Sequence, residues 1–173
     1  QQELTKPAKW VSTRPFWRYE EPQQGRFREF YQTNVDIFGS ADPTADAEIL
    51  AVAADALTGL GLDGDDFEFR VSHRDILGGL LEAFETDVDT RAAIRAVDKR
   101  AKVDAGEYFD LLEAAGLDRD RAAEFDDLLE TPEADLDDLV EFARTERVER
   151  AVGNLKGVLE ATADLGVREH CTL

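Results

Sequence analysis

The chain of 173 residues has no methionine, one cysteine (Cys171), two histidines (His73 and His170) and only five lysines against fifteen arginines. A lone cysteine excludes an internal disulfide and fits a reducing compartment. Neither histidine has a cysteine or carboxylate at ligand spacing, so the sequence points to no metal site. His73, in "SHRD", reads instead as part of a strand-to-helix junction in which Ser72 or His73 caps the helix. Cys171 has no histidine and acid arranged to activate it, and reads as an ordinary strand cysteine. No apolar run approaches the roughly 18–20 residues of a membrane-spanning helix, and no basic-then-apolar leader opens the chain. The expectation is a soluble, cytoplasmic protein. The missing methionine and the half-apolar, extended-looking end "VREHCTL" add a second expectation, that the chain is a piece of something longer.

Positive charge is also scarce. Thirty-nine acidic residues face 20 basic ones, for a formal net charge of −19. Such a surface repels nucleic acid in general and resembles the composition of proteins adapted to strong salt. The acidic stretch Asp118 to Glu141 is read as solvated helix faces rather than a mimic of nucleic acid. A hydrophobic content of 43% is enough for a packed core. Against this background, one segment reverses the balance. From Lys6 to Gln32 there are six basic residues (Lys6, Lys9, Arg14, Arg18, Arg26, Arg28) and three acidic ones (Glu20, Glu21, Glu29), interleaved with aromatics.

The pattern changes near residue 85. Residues 1–84 carry 8 basic and 15 acidic residues, net −7, and alternate with period two. Residues 85–173 carry 12 and 24, net −12, with apolar residues three or four apart. Arg14–Glu20 and Arg26–Phe38 predict two strands of a β-hairpin, joined by "EPQQG" with its turn-forming Pro22 and Gly25. A helix follows, opened by Asp42 and Pro43 and closed by Gly59 or Gly61. "DFEFRVSH" predicts a third strand and "DILGGLLEAF" a short helix, in which Gly78-Gly79 reads as a helix-packing detail. Five further helices form an all-helical block, and Val167–Leu173 returns to extended structure. The fold class is α+β, an antiparallel sheet portion carrying a helical insertion. Trp10 and Trp17 are assigned to core or hairpin packing.

Alternation sorts the second strand into two faces. Arg26, Arg28, Phe30, Gln32, Asn34, Asp36 and Phe38 share one. Phe27, Glu29, Tyr31, Thr33, Val35 and Ile37 share the other, expected to pack on helices. On the first strand, Phe16, Arg18 and Glu20 have the parity to join the polar face. Guanidinium groups match phosphate oxygens with paired hydrogen bonds, and an aromatic ring beside them offers a base a stacking surface. Gln32 and Asp36 could take a small ligand bearing donors, such as an amine or imidazole N–H. Cross-strand ion pairs on a solvated face are the competing explanation. There is no Gly-rich phosphate cradle.

These residues resemble a known signature. "FWRYEEPQQGRFREFYQTNVDIFG" is similar to motif 2 of class II aminoacyl-tRNA synthetases in its histidyl-tRNA synthetase version, with the Arg-x-Glu strand, the Pro-Gln-x-Gly-Arg loop and the Arg-Glu-Phe-x-Gln strand. "ADAEILAVAADALTGLGLDGDDFEFRVSHRDILGGLL" continues the likeness, and "AVDKRAKV" resembles the start of that family's helical insertion. The resemblance implies residues 1–84 as a partial catalytic core, 85–166 as the insertion and 167–173 as a strand rejoining the core. It implies activation of histidine by ATP with Mg²⁺ to histidyl-adenylate, then transfer to tRNA(His), in a homodimer.

By position, Arg18 resembles the arginine that holds the α-phosphate and steadies charge in the transition state. Glu20 resembles the residue near the adenine amino group, Phe30 the ring stacked on adenine and Arg26 a residue reaching the outer phosphates. Gln32 corresponds to the ligand of the substrate amino group and Asp36 to the reader of its imidazole. Glu21 and Gln23 fall in the loop that approaches the tRNA acceptor end, and Glu21 departs from the arginine frequent there. No motif 1 helix, motif 3 arginine strand, "LDYYTG"-like segment or anticodon-binding domain is found in the chain, which is expected to be inactive alone. The other readings are a non-catalytic, synthetase-like regulatory subunit of ATP phosphoribosyltransferase, and a self-standing acidic helical module with an incidental hairpin.

Overall fold

The computed structural model describes residues 5–19, 21, 23–84 and 87–173. They divide into two compact units: Gln1–Phe67 with Glu160–His170, and Glu68–Leu159 with Cys171–Leu173.

The first unit is built on an antiparallel hairpin of β1 (Ala8–Trp17) and β2 (Glu29–Phe38). β1 ends three residues before Glu20, and β2 starts three residues later than Arg26. The tip explains both shifts. Gly25, at φ 76°, lets Gln23 and Arg26 close a tight turn of their own through two backbone hydrogen bonds. The Arg18 N–H donates to the Arg28 carbonyl at 2.9 Å just beyond the end of the regular ladder. Lys9, Ser12 and Thr13 obscure the apolar alternation upstream, so the start of β1 is not evident from sequence.

Helix α1 (Pro43–Gly59) follows. The Asp42 carboxylate accepts from the Thr44 N–H and Thr44 Oγ1, which holds its pKa below the ordinary carboxylate value. Of the two expected terminators, Gly61 acts: at φ 94° it donates to the Thr58 carbonyl while the Leu62 N–H reaches Leu57. Helix α1 meets the odd-numbered hairpin face at one end only, where Ile49 and Val52 lie by Val35 and Ile37. Lys9 and Glu48 pair there at 2.6 Å. Toward the tip Trp17, Phe27 and Tyr31 are exposed, so helices cover the odd face less than the pattern predicts. Trp10 and Trp17, 59% and 72% exposed, are not core residues.

The second unit is a helical cluster of α2 (Arg74–Ala83), α3 (Thr90–Val97), α4 (Ala105–Ala114), α5 (Arg119–Leu129), α6 (Leu136–Ala143) and α7 (Glu146–Asp164), the last running past the boundary at Leu159. Asp89, Asp104 and Asp118 cap α3, α4 and α5 through their side chains, so part of the acidic excess starts helices. His73 caps α2, its Nδ1 accepting from the Asp75 N–H at 3.2 Å. Leu80, Leu81, Leu112, Leu117, Phe125 and Val148 form the innermost core, with Phe84 edge-on to Phe125. Within it, the Tyr108 hydroxyl is buried beside Asp126. Burial, then the adjoining carboxylate, pushes the phenol well above its ordinary pKa.

The third strand and the returning segment are shorter than expected. β3 (Phe69–Arg70) pairs in parallel, not antiparallel, with β4 (Cys171–Thr172). Gly166 closes α7 at φ 74°, and Arg168–His170 form a 3-10 turn, leaving two residues to pair with β3. Cys171 is buried and unoxidised in β4.

Helices α2 and α7 approach closely. A Cβ on Gly79 would collide with Val148 Cγ2. Arg147 closes the same seam, donating to Asp75 at 2.7 and 3.0 Å and to Glu82 at 2.7 Å. Gly79→Ala is expected to destabilise this unit by about 1–3 kcal/mol through overpacking, read by denaturant unfolding. The Arg147 guanidinium, through its hydrogen bonds, holds the Asp75 carboxyl below its ordinary pKa. A depressed carboxyl contributes stability above its unfolded pKa and loses it as the pH falls through the folded value. Carboxyl-detected NMR titration should place Asp75 below 3.8, moving toward that ordinary value in Arg147→Ala.

Candidate active site

The hairpin register settles which side chains share a face. Phe16 stands opposite Phe30, Arg14 opposite Gln32, Ser12 opposite Asn34 and Trp10 opposite Asp36. Even faces even along the whole ladder. The polar residues of β2 therefore lie side by side with Phe16 and Arg14, and with Arg18 just past the strand end.

Four of these residues form a ladder of rings and guanidinium groups. The Phe16 and Phe30 rings are near parallel, at 23° and 6.3 Å between centroids. The Arg18 guanidinium lies over Phe30 at 4.7 Å, and that of Arg14 over Phe16 at 5.2 Å. Each cation is held against the electron-rich face of a ring. Arg18 also donates through Nη2 to Gln32 Oε1 at 3.4 Å, and the Gln32 amide donates to Asn34 Oδ1. Phe16, Phe30, Gln32 and Asn34 are half-buried, whereas Arg14, Arg18 and Asp36 are exposed.

Beyond Gln32 the face hollows into an open concavity of about 530 Å³, lined by Trp10, Ser12, Arg14, Asn34 and Asp36, with Lys6 and Phe38 at its far end. From Phe30 to Asp36 the row is roughly 20 Å long at about 3.3 Å per strand residue. That is room for a nucleotide and a small second ligand in line. Arg18, Phe30 and Gln32 are in mutual contact, and Asp36 lies on the same face, apart from them. Arg26, Glu21 and Gln23 are exposed near the hairpin tip. Glu20 lies outside the described residues. Among the described residues, no three His, Cys, Asp or Glu side chains are grouped so as to hold a metal ion.

A family model described as Histidyl-tRNA synthetase matches residues 2–173. The chain belongs to the histidyl-tRNA synthetase family. The histidine--tRNA ligase of Natronomonas pharaonis is 69% identical over 173 residues, which cover 100% of this chain and 40% of that protein. Among solved structures, the histidyl-tRNA synthetase from Nostoc sp. PCC 7120 superposes with a TM-score of 0.83 at 20% identity, over 99% of this chain and 40% of that one. An ATP phosphoribosyltransferase regulatory subunit/histidyl-tRNA synthetase from Bacillus halodurans superposes at 0.75 with 21% identity, over 98% and 44%. The two structural likenesses speak for the fold alone. The chain spans about 40% of the length of the curated relatives it matches.

For a histidyl-tRNA synthetase family member, the motif 2 residues are the legible part of this face. Arg14, Ser12 and Trp10 were not singled out as site residues, because only the register brings β1 to the concavity. Their one sequence signal is even numbering, shared with Phe16 and Arg18. The geometry makes a direct prediction. NMR of the arginine side chains should show Arg18 shifted by the Phe30 ring current, and Phe30→Leu should abolish that shift.

Proposed function

We propose that this hairpin is the ATP- and histidine-binding part of a histidine–tRNA ligase active site. The observation that carries the reading is the contact of Arg18 with both Phe30 and Gln32, three residues for which the family resemblance implies phosphate, adenine and amino-group roles. Arg18 is the residue assigned to the transition state. Its guanidinium offers several fixed donors to a phosphate on which charge develops, and its seat on Phe30 limits the reorganisation needed to use them. Phe30 presents a half-buried ring face to the base. Gln32 Oε1 accepts from the substrate ammonium, and Asp36, at the concavity, accepts from the imidazole N–H. Arg26, at the tip, reaches the outer phosphates, and Glu20 the adenine amino group. Glu21 and Gln23, exposed on the loop, face the tRNA acceptor end.

The described residues around Arg18 supply guanidinium and amide groups but no pair of carboxylates, so they do not fit a resident Mg²⁺; the resemblance implies that the ion accompanies ATP, and no step is routed through it. Residues 85–166 are read as an insertion into a core formed by 1–84 and 167–173. The pairing of Arg70 with Thr172, which joins the chain before that stretch to the chain after it, supports this. A homodimer acting on tRNA(His) in the cytoplasm completes the reading. No helix among the described residues is long and apolar enough to cross a membrane. The regulatory-subunit alternative has weaker support, since the curated relatives at 65–69% identity are named histidine--tRNA ligases.

The test is histidine-dependent ATP–pyrophosphate exchange at high potassium chloride, on the chain extended to the length of its relatives. Exchange is expected, with a loss of about 10²- to 10³-fold in Arg18→Ala, the usual cost of one transition-state donor. A folded protein that binds histidine without exchange would instead favour the regulatory subunit.

A further inference from the structure

One short stretch of the helical unit reverses the charge of the chain. Residues 90–103, which form α3 and the turn after it, hold five basic residues and one acidic residue, Asp98, in a chain of net charge −19. Arg91, Arg95, Lys99 and Lys102 are exposed, and Arg100 is half-buried. Among the described residues, six cations of this unit have no carboxylate partner: these four exposed ones, Arg74 and Arg144. What sets the four apart is that they fall within twelve residues, whereas Arg74 and Arg144 each lie well away from them in sequence.

Their spacing puts them on one side. Arg91, Arg95 and Lys99 are four residues apart, the spacing of a single helix face. The coil continues past Val97: the Lys99 N–H donates to the Ala96 carbonyl at 2.9 Å and the Lys102 N–H to the Lys99 carbonyl at 2.7 Å. The opposite side is fixed in the core by Ala93 and Ala96, with Ile94 and Val97 packed against it. Arg100 turns inward, pairing with Asp126 at 2.9 Å and with Glu130, and lies over Tyr108. It anchors the turn to α4 and α5 and leaves Lys99 and Lys102 in solvent.

Like charges four residues apart repel, and Arg91 stands in the first turn of α3, where the helix dipole disfavours a cation. Helix stability does not account for the row. It is roughly 16 Å long at about 1.5 Å per helical residue, which suits a chain of anionic groups better than one small anion. No large apolar side chain of residues 90–103 is exposed. A membrane-binding helix turns an apolar face outward, and a protein interface has an apolar or aromatic centre. The row also has no exposed aromatic or amide group to read a base, which leaves contact with a phosphate backbone.

We propose that the row from Arg91 to Lys102 is an RNA-binding surface that grips the phosphate backbone of a structured RNA without regard to sequence, a second contact beyond the acceptor-end loop. The choice of RNA rests on the proposed ligase reading; the choice of a phosphate chain rests on the row itself.

The test measures binding of the full-length protein to a tRNA(His) transcript and to an RNA duplex of unrelated sequence across a potassium chloride series. Arg91→Gln with Arg95→Gln is compared with Arg74→Gln with Arg144→Gln, which removes the same charge from outside the row. The first pair should weaken both RNAs and lower the slope of log affinity against log salt by about two, one for each lost phosphate contact. Tenfold less salt then widens the gap from the unaltered protein about 100-fold. The second pair should change neither slope, and Arg91→Lys with Arg95→Lys, which keeps the charge, should retain binding. Histidine-dependent ATP–pyrophosphate exchange, which uses no RNA, should be the same in every variant and reports folding. Equal effects of the two glutamine pairs would reduce the row to net charge and overturn the proposal, as would unchanged RNA binding in the first pair or a loss of exchange along with it. Loss in that pair of binding to anionic lipid vesicles, or of self-association, with RNA binding intact, would give the row to a membrane or a second copy and equally overturn it. Absence of exchange in the unaltered protein would instead overturn the ligase reading, and the response of RNA binding to the first pair would still decide the row.

Discussion

The antiparallel register that sets Phe16 opposite Phe30 is the constraint on which the rest of the site depends. Side chains alternate along each strand, so a slip of one residue would turn every even-numbered side chain of one strand away from those of the other. Phe16 would lose its stack on Phe30, and Arg14 would no longer share the face of Gln32. The backbone bond between Arg18 and Arg28 and the tight turn at Gly25 continue the pairing past the regular strands, which places Arg18 over Phe30. Every candidate contact follows from that alignment.

Charge divides the molecule by task. In the helical unit, carboxylates open helices at Asp89, Asp104 and Asp118 and take up arginines: Arg100 with Asp126 and Glu130, Arg119 with Asp110 and Glu113, Arg147 with Asp75 and Glu82. The exposed pairs among these contribute little stability singly. On the hairpin, Arg14 and Arg18 rest on phenylalanine rings instead. A guanidinium on a ring stays positioned while its N–H groups remain open to an incoming anion, whereas a carboxylate partner would have to be displaced. The ring contacts thus hold two guanidinium groups on this face without a carboxylate partner.

Local sequence signals were sufficient wherever a feature is made by neighbouring residues. The Asp42-Pro43 start of α1, the cap at His73 and the spacing of the helices are decided within a few residues, and each could be read along the chain. The polar face of β2 was legible too, because alternation is intrinsic to a strand. The motif itself identified Arg18, Phe30 and Gln32 as a group. Strand ends were less legible. Pairing length depends on what the partner supplies, and only Cys171–Thr172 are offered to β3. The role of Gly79 is likewise set by Val148, far away in sequence.

By itself, then, the sequence determined the class of fold, the acidic character, the helical block and the set of arginine, aromatic and amide side chains proposed as the site, since propensity, periodicity and side-chain chemistry are local properties. Tertiary structure alone decided which residues of β1 face them. It brought Arg14, Ser12 and Trp10 to the concavity, left Trp17 and Tyr31 in solvent and made the β3–β4 pair parallel. The physical reason is that register and pairing direction arise from hydrogen bonds between distant segments, and no local preference encodes which partner, or which offset, those bonds will take.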